Sequence, residues 1–292
     1  MQRCFIPGDQ WLYFKIYTGI KTADLVLTDY VQPLAEELSD HGLINQWFFI
    51  RYSDPDFHLR FRIRLSSEGA AGSSLLTANR IFKYLIEANL IWKVQLDTYN
   101  REVERYGALT MEDSEAIFYR DSQMILKAIK IFDDSEDLNL KWIWALYAID
   151  SFMGDIGFEL QEKFDLIKRL KEGFAEEFAA DTSAKKQLSR KYQTHKTDIA
   201  SFLDRRCHAP QHLILYDLVE HKSEYTKDAI SSINLKTDIE NLSYLISSHL
   251  HMMINRLFRS KNRLNEFVCY EMLYFYYNSK IAQEKNLRKS YS

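Results

Sequence analysis

Residues 52–65 read YSDPDFHLRFRIRL, and from His58 onward apolar residues alternate with cationic or potentially cationic ones. Side chains of a β-strand point to opposite faces in turn, so Leu59, Phe61, Ile63 and Leu65 are predicted to enter a core. His58, Arg60, Arg62 and Arg64 would then form one stripe, with neighbours about 6.6 Å apart. A solvated outer face accounts for many such stripes. Three guanidiniums without an acid among them fit that account poorly, because like charges repel unless anions lie between them. A planar guanidinium matches a carboxylate, so the stripe raises the question of which carboxylate it holds.

Working outward, WFFIRYS (47–53) reads as the preceding strand, joined to this one by a turn at Asp54-Pro55-Asp56. WLYFKIYTG (11–19) and IWKVQLDTY (91–99) also read as strands. Between them lie two helical patterns: TADLVLTDYVQPLAEEL (22–38), with Pro33 a potential kink, and residues 75–89 after the Gly/Ser-rich SSEGAAGSS. The order β-α-β-β-α-β is that of a split βαβ, ferredoxin-like sheet. Such a sheet carries both helices on one face and leaves the other to be covered. Beyond residue 108 helical patterns dominate, at about 112–131, 138–179, 184–204, 212–221, 237–259 and 263–282. The expected fold is therefore α+β, with a ferredoxin-like portion (1–108) packed through its open face against a larger helical portion (109–292), the two forming one domain.

Composition narrows the function. Of the 292 residues 46% are hydrophobic and 14% aromatic, which excludes a disordered chain. The net charge of -3 provides no overall basic field, so direct nucleic-acid binding is not expected. The longest apolar runs, such as WFFI (47–50), are too short to span a bilayer, and MQRCFIPGDQ lacks the apolar region of a signal peptide. A cytoplasmic location without membrane association is the expectation. Cys4, Cys207 and Cys269 are too few and too scattered for a disulfide framework, in keeping with a reducing compartment.

Two further clusters could carry chemistry. In YNREVERYG (99–107) a helical turn would place Glu102 three residues before Arg105, and Arg101 four before it. A surface ion pair, contributing about 0.3 kcal/mol, is the plain reading, although the position at the sheet-to-helix junction favours function. In SSHLHMMINRLF (247–258) Ser248, His251 and Asn255 share one helical face, with Arg259 four further on. A hydrogen-bonded structural histidine is the plain reading there. Cys207, His208 and His212 resemble a metal cluster, but Pro210 lies among them and no second cysteine pair supports it, so no metal is expected. The signatures of serine hydrolases, P-loop NTPases and dinucleotide-binding enzymes are missing. Tyr274, Phe275, Tyr276 and Tyr277 read as packing aromatics or a partner surface.

Taken in order, WLYFKIYTG, DYVQPLAEEL, WFFIRYSDPDFHLRFRIR, YNREVERYG, SEAIFYRDS and the S-x-x-H-M-x-x-N-R-L of residues 248–257 resemble the elimination domain of lantibiotic dehydratases, also called the thiopeptide-type bacteriocin biosynthesis domain. One departure is Ala108, where the family usually has a second glycine after RYG. The resemblance implies a lyase that removes glutamate by β-elimination from glutamylated Ser or Thr of a ribosomally made precursor peptide, leaving dehydroalanine or dehydrobutyrine. It implies a stand-alone elimination subunit, no cofactor, and a separate glutamyl-tRNA-dependent protein that installs the glutamate. By the same resemblance Arg60, Arg62, Arg105 and His251 are the expected catalytic residues, with Glu102 nearby; Glu102, together with Arg64 of the stripe and Ser248 and Asn255 of the helical face, is an expected substrate contact. Related scaffolds join two dehydroalanines in a [4+2] cycloaddition, and a non-catalytic peptide-docking subunit is a third possibility. Retention of the arginines with His251 favours elimination, because cycloaddition does not require capture of a carboxylate.

Overall fold

The alternation at residues 58–65 does build a central strand, β4 (Phe57–Leu65). The computed structural model describes residues 1–179 and 181–290. Short β1 (Cys4–Phe5) precedes β2 (Trp11–Thr18), and β3 (Ile44–Ser53) leads into β4. With β5 (Ile91–Asp97) these form an antiparallel sheet in the order β3-β4-β2-β5, the split βαβ order expected. Tyr13, Arg62 and Phe48 lie in one cross-strand row, and Lys15, Arg60 and Ile50 in the next. The expected 91–99 strand is interrupted: Tyr99–Asn100 leaves the sheet as β6 and pairs with β1.

The face carrying Leu59, Phe61 and Ile63 is fully buried, as expected. It is covered by α1 (Ala23–Val26), a π turn (Leu27–Val31) and α2 (Gln32–Asp40), which run as one helical segment, and by α3 (Ala70–Glu87), whose Phe82 ring meets Phe14 at 5.3 Å. Pro33 comes just after the widened turn; it has no N–H to donate, so that turn loses no bond to it. On the same side Arg51 pairs with Asp24 at 2.6 Å, both buried. Burial by itself would raise the pKa of Asp24, but Arg51, Arg259 and Lys141 outweigh it and hold the carboxyl below its usual value.

After a four-residue turn, α4 (Val103–Tyr106), the helical portion comprises α5 (Met111–Asp133), α6 (Leu140–Asp155), α7 (Leu160–Glu177), α8 (Thr182–Leu203), α9 (Pro210–Lys236), α10 (Ile239–Leu257) and α11 (Asn262–Ser290). Two boundaries differ from the sequence reading. The pattern at 138–179 is two helices, broken where Gly157 takes φ +100 and Glu159 starts α7 with a capping box. The pattern at 212–221 continues to Lys236, because Lys222, Thr226, Ile230 and Ile233 bury a helical stripe. Lys222 tolerates burial between Asp121 and Asp155, each 3.9 Å away, and over the Phe152 ring.

β3 is an edge strand, yet its free backbone groups are not left open. Ser122 of α5 accepts from the Phe49 N–H, Arg256 of α10 donates to the Phe49 carbonyl, and Asn255 of α10 both accepts from and donates to the Arg51 backbone. Side chains thus stand in for the missing strand and fasten α10 against the sheet.

α10 also carries a pH dependence. His249 is boxed by the rings of Tyr106, Phe118 and Phe152, and burial, with Lys222 and Arg256 nearby, pushes its pKa from 6.5 down to about 3. The unfolded chain takes up this proton below pH 6.5 while the folded one refuses it, so stability is lost as pH falls from there toward 3. The slope attributable to this group approaches about 1.4 kcal/mol per pH unit. His249→Phe should flatten that slope in urea unfolding measured between about pH 6.5 and pH 4; parallel slopes for both proteins would refute the assignment.

Candidate functional site

The second face of the sheet carries the cationic stripe, and the helical portion covers only part of it. His58 departs from the expected row of charges: it is fully buried, and burial, opposed by the Asp56 carbonyl, lowers its pKa. Its Nδ1 lies 2.8 Å from that carbonyl, and Nε2 receives Arg60 Nε at 3.4 Å, so the neutral ring orients Arg60. Arg60 is half-buried, its guanidinium stacked 3.4 Å from the Tyr52 ring centroid. Arg62 is only 7% exposed and lies among Tyr13, Tyr99 and Phe48 at 4.6, 4.7 and 5.3 Å. Arg64 sits half-buried further along, level with Trp11.

None of these three guanidiniums has a carboxylate within ion-pairing distance among the described residues. Asp97, the one acid the four strands place on this face, pairs instead with Lys15. Arg60 and Arg62 are held by aromatic rings, which satisfy the cation's flat face and leave its N–H edge for another partner.

Arg62 opens into a crevice of about 20 Å³ between β3, β4 and α10, lined also by Glu102, Tyr99, Tyr106, Met252 and Arg256. Arg62 Nε and Arg256 Nη2 are both buried and unpartnered. Arg256 has Asp121 3.5 Å from its Nη1, and the edge it shares with Arg62 across the crevice is where a further anion would relieve the repulsion between the two guanidiniums. The room is that of about one water molecule, which suits a carboxylate oxygen at a closed end.

Glu102 joins this crevice to Arg105, whose Nη1 is 3.5 Å from the carboxylate, the i,i+3 pair expected from the sequence. Arg105 itself faces a second cleft of about 320 Å³, and Tyr106 forms the wall between the two. The turn that holds them depends on Gly107 at φ +73, where a Cβ would lie 2.7 Å from Thr110 Oγ1. Ala108 is not among the residues of positive φ, so the replacement of the family's second glycine costs this turn nothing. Arg101, in contrast, is a structural residue: it is buried against Glu115 at 2.6 Å, a carboxylate that also accepts from Tyr99 at 2.8 Å.

His251 lies on α10 beside Met252, a quarter exposed, with Nδ1 2.8 Å from the buried carboxylate of Glu266 on α11. Tyr270 donates to the same carboxylate at 2.9 Å, and Arg263 lies 3.4 Å away. A buried carboxylate on Nδ1 selects the tautomer that presents Nε2 outward. Among the described residues no hydrogen bond or ion pair joins His251 to the arginines. Ser248 is buried one turn before Met252, and Asn255 uses its amide on the Arg51 backbone while lining a cleft of about 290 Å³ with Tyr52 and Arg263.

Two residues of this site escaped the sequence reading. Arg256 stood inside the quoted S-x-x-H-M-x-x-N-R-L, but its spacing alone gave it no partner. Glu266 is 15 residues from His251 on another helix, beyond any local pattern. Of the Cys207, His208 and His212 cluster, the His212 ring packs on Phe202 at 5.5 Å, and among the described residues no group of three His, Cys, Asp or Glu side chains is arranged to hold a metal ion. Among the described residues no helix is long and apolar enough to cross a membrane.

Comparison with known proteins identifies relatives of the chain. The chain is 33% identical over 133 residues to the nisin biosynthesis protein NisB of Lactococcus lactis subsp. lactis, covering 45% of this chain and 13% of that one. It is 26% identical over 267 residues to the epidermin biosynthesis protein EpiB of Staphylococcus epidermidis, covering 88% and 25%. The chain thus spans a quarter or less of these relatives. Its fold superposes with a TM-score of 0.73 on the tRNA-dependent lantibiotic dehydratase MibB from Microbispora sp. 107891, at 20% identity over 91% of this chain and 28% of that one. The pyridine synthase TbtD from thiomuracin biosynthesis superposes at 0.63, with 11% identity over 91% and 97%. A family model described as the C-terminal part of lantibiotic biosynthesis dehydratases matches residues 11–277, and the chain belongs to that family.

Proposed function

We propose that this protein acts in the dehydration of a precursor peptide, as a lyase that removes glutamate from glutamylated Ser or Thr by β-elimination. The observation that carries the reading is the row of Arg60, Arg62 and Arg64, which among the described residues has no ion-paired carboxylate, with Arg60 and Arg62 stacked on aromatic rings instead. A substrate bearing glutamate supplies the missing anion. Chemically, a base takes the α-proton, the electron pair forms the Cα–Cβ double bond, and the Cβ–O bond breaks with glutamate leaving as a carboxylate. Negative charge develops on the carbonyl next to the α-carbon and on the leaving group. Arg62, with Arg256 across the crevice, is positioned for one of these charges and Arg60 for the other, where preorganised donors act without solvent reorganisation. Arg105, held by Glu102, anchors the far end of the substrate. His251, whose Nε2 is left as an acceptor by the Nδ1 contact with Glu266, serves as general acid/base or, once it carries a proton there, as the donor to the enolate, and Arg64, Ser248 and Asn255 are assigned further substrate contacts. No cofactor enters the scheme, and a glutamyl-tRNA-dependent glutamylating activity installs the ester.

The test is to incubate the purified protein with a synthetic peptide carrying one glutamylated serine and to follow its mass. Loss of glutamic acid is expected. An intact ester, with consumption of a peptide bearing two dehydroalanines instead, would move the assignment to the cycloaddition carried out on related scaffolds.

Glu266 acts through His251 as a positioning residue. Glu266→Gln should lower kcat by between about 10- and 10⁴-fold with KM unchanged, the upper end being the loss when the carboxylate orienting a catalytic imidazole becomes an amide. The imidazole ¹⁵N spectrum should show a changed tautomer ratio at His251, and Glu266→Asp should restore part of the rate. A rate loss without any change in that spectrum would make Glu266 merely structural.

A further inference from the structure

β5 is the other edge of the sheet, and unlike β3 it is left uncovered. Its outer neighbours provide no strand and no side chains that pair with its backbone among the described residues, and Trp92 and Leu96 on it are 57% and 38% exposed. An exposed edge with apolar side chains is a template for another strand. The two sides of this edge differ in chemistry. On the helix side Val94 and Leu96 border a groove of about 960 Å³ that α3 closes with Leu75, Leu76, Phe82 and Ile86, where Leu76 is 73% exposed. On the other side Lys93 lies over the Tyr17 ring, while Asp97, at the far end of β5 on the same side, is paired with Lys15, the cross-strand neighbour of Arg60. Lys93, like the arginines, has no acid partner among the described residues.

We infer that β5 captures an extended segment of the peptide substrate as a fifth strand, with alternate side chains apolar in the α3 groove and acidic on the Lys93 face. Strand addition sets the backbone by hydrogen bonds and reads every second side chain in a pocket. A strand added here lies about 4.8 Å beyond β5, so its acidic side chains meet Lys93, four residues along the strand from Asp97, whose carboxylate is taken up by Lys15. The inference rests on the reading of the substrate as a peptide, and it names the sequence character of the segment flanking the modified residue. It also explains why the face is only half covered by α10: the remainder is the approach.

Binding of unmodified probes tests this independently of turnover. The probe is an eight-residue labelled peptide alternating leucine with glutamate or aspartate, compared with one of equal composition in which the leucines are consecutive and one carrying lysine for the acids. Fluorescence anisotropy should rank the alternating acidic probe at least tenfold tighter than either control. Hydrogen exchange of the amides of residues 91–97 should slow at least tenfold on its binding, which contact through side chains alone would not produce. Lys93→Glu should abolish the preference for acids over lysine, and Leu76→Glu should weaken the probe tenfold; both positions are exposed, and thermal melting checks that each variant folds. Equal affinity for the three probes, no binding, or binding without protection of 91–97 overturns the proposal. Failure here leaves glutamate elimination standing, and an inactive protein that still binds the alternating probe leaves this site standing.

Discussion

Arg62→Lys is expected to lower elimination of glutamate by about 10²- to 10³-fold in kcat/KM, the loss typical of removing one preorganised donor to a developing anion. The net field of the site does not change, since lysine keeps the charge. What goes is the planar fork: Arg62 lies between Tyr13 and Tyr99 with Nε unpartnered, so that its edge is aimed and its faces are occupied. An ammonium on a flexible stem can still lie over those rings, which favours folding, but it cannot present two parallel N–H groups to a carboxylate. Thermal melting close to that of the unaltered protein, together with accumulation of glutamylated peptide in the mass assay, is the expected pair of results. A folded variant with unchanged turnover would remove Arg62 from the mechanism.

His251→Phe is expected to cost about 10²- to 10⁴-fold in turnover, the contribution of a positioned general acid or base. Phenylalanine keeps the ring volume and deletes both nitrogens. Glu266 then loses one partner but retains Tyr270 at 2.9 Å and Arg263 at 3.4 Å, so the destabilisation should stay near 1–3 kcal/mol. His251→Gln separates the two roles, because an amide can donate to Glu266 or to an enolate but cannot carry a proton between groups. If His251 only donates, His251→Gln recovers much of the rate; if it transfers the proton, both variants fail alike. With the glutamylating partner and precursor present, each inactive variant should accumulate glutamylated peptide. Recovery of unmodified peptide would point to a docking role for this chain.

The course of the chain explains which features could be read in advance. Alternation at 58–65 and the helical period at 239–257 are local properties, in which a residue's exposure follows from neighbours two to four positions away. Such patterns identified the strands, the order β-α-β-β-α-β and the row Arg60, Arg62, Arg64. They failed where a local pattern had two meanings. Gly154 and Gly157 lie within an otherwise continuous helical period, and only the +100 φ at Gly157 shows that the chain turns there. Lys222 and Thr226 look like a solvated face until Asp121 and Asp155 arrive from other helices to bury them.

By itself the sequence determined the sheet, its cationic face, the Glu102 and Arg105 pair and the presence of a histidine on the helix nearby, because each rests on the covalent order and a fixed repeat. Tertiary structure decided what these groups do to one another. It made His58 neutral and buried, turned Arg101 to Glu115, used the Asn255 amide as a substitute strand for β3, and brought Arg256 and Glu266 to Arg62 and His251 across 194 and 15 residues of chain. It also left β5 bare. The reason is that the state of a charge depends on burial and on partners within a few ångströms, and those partners come from elements whose proximity no local period encodes.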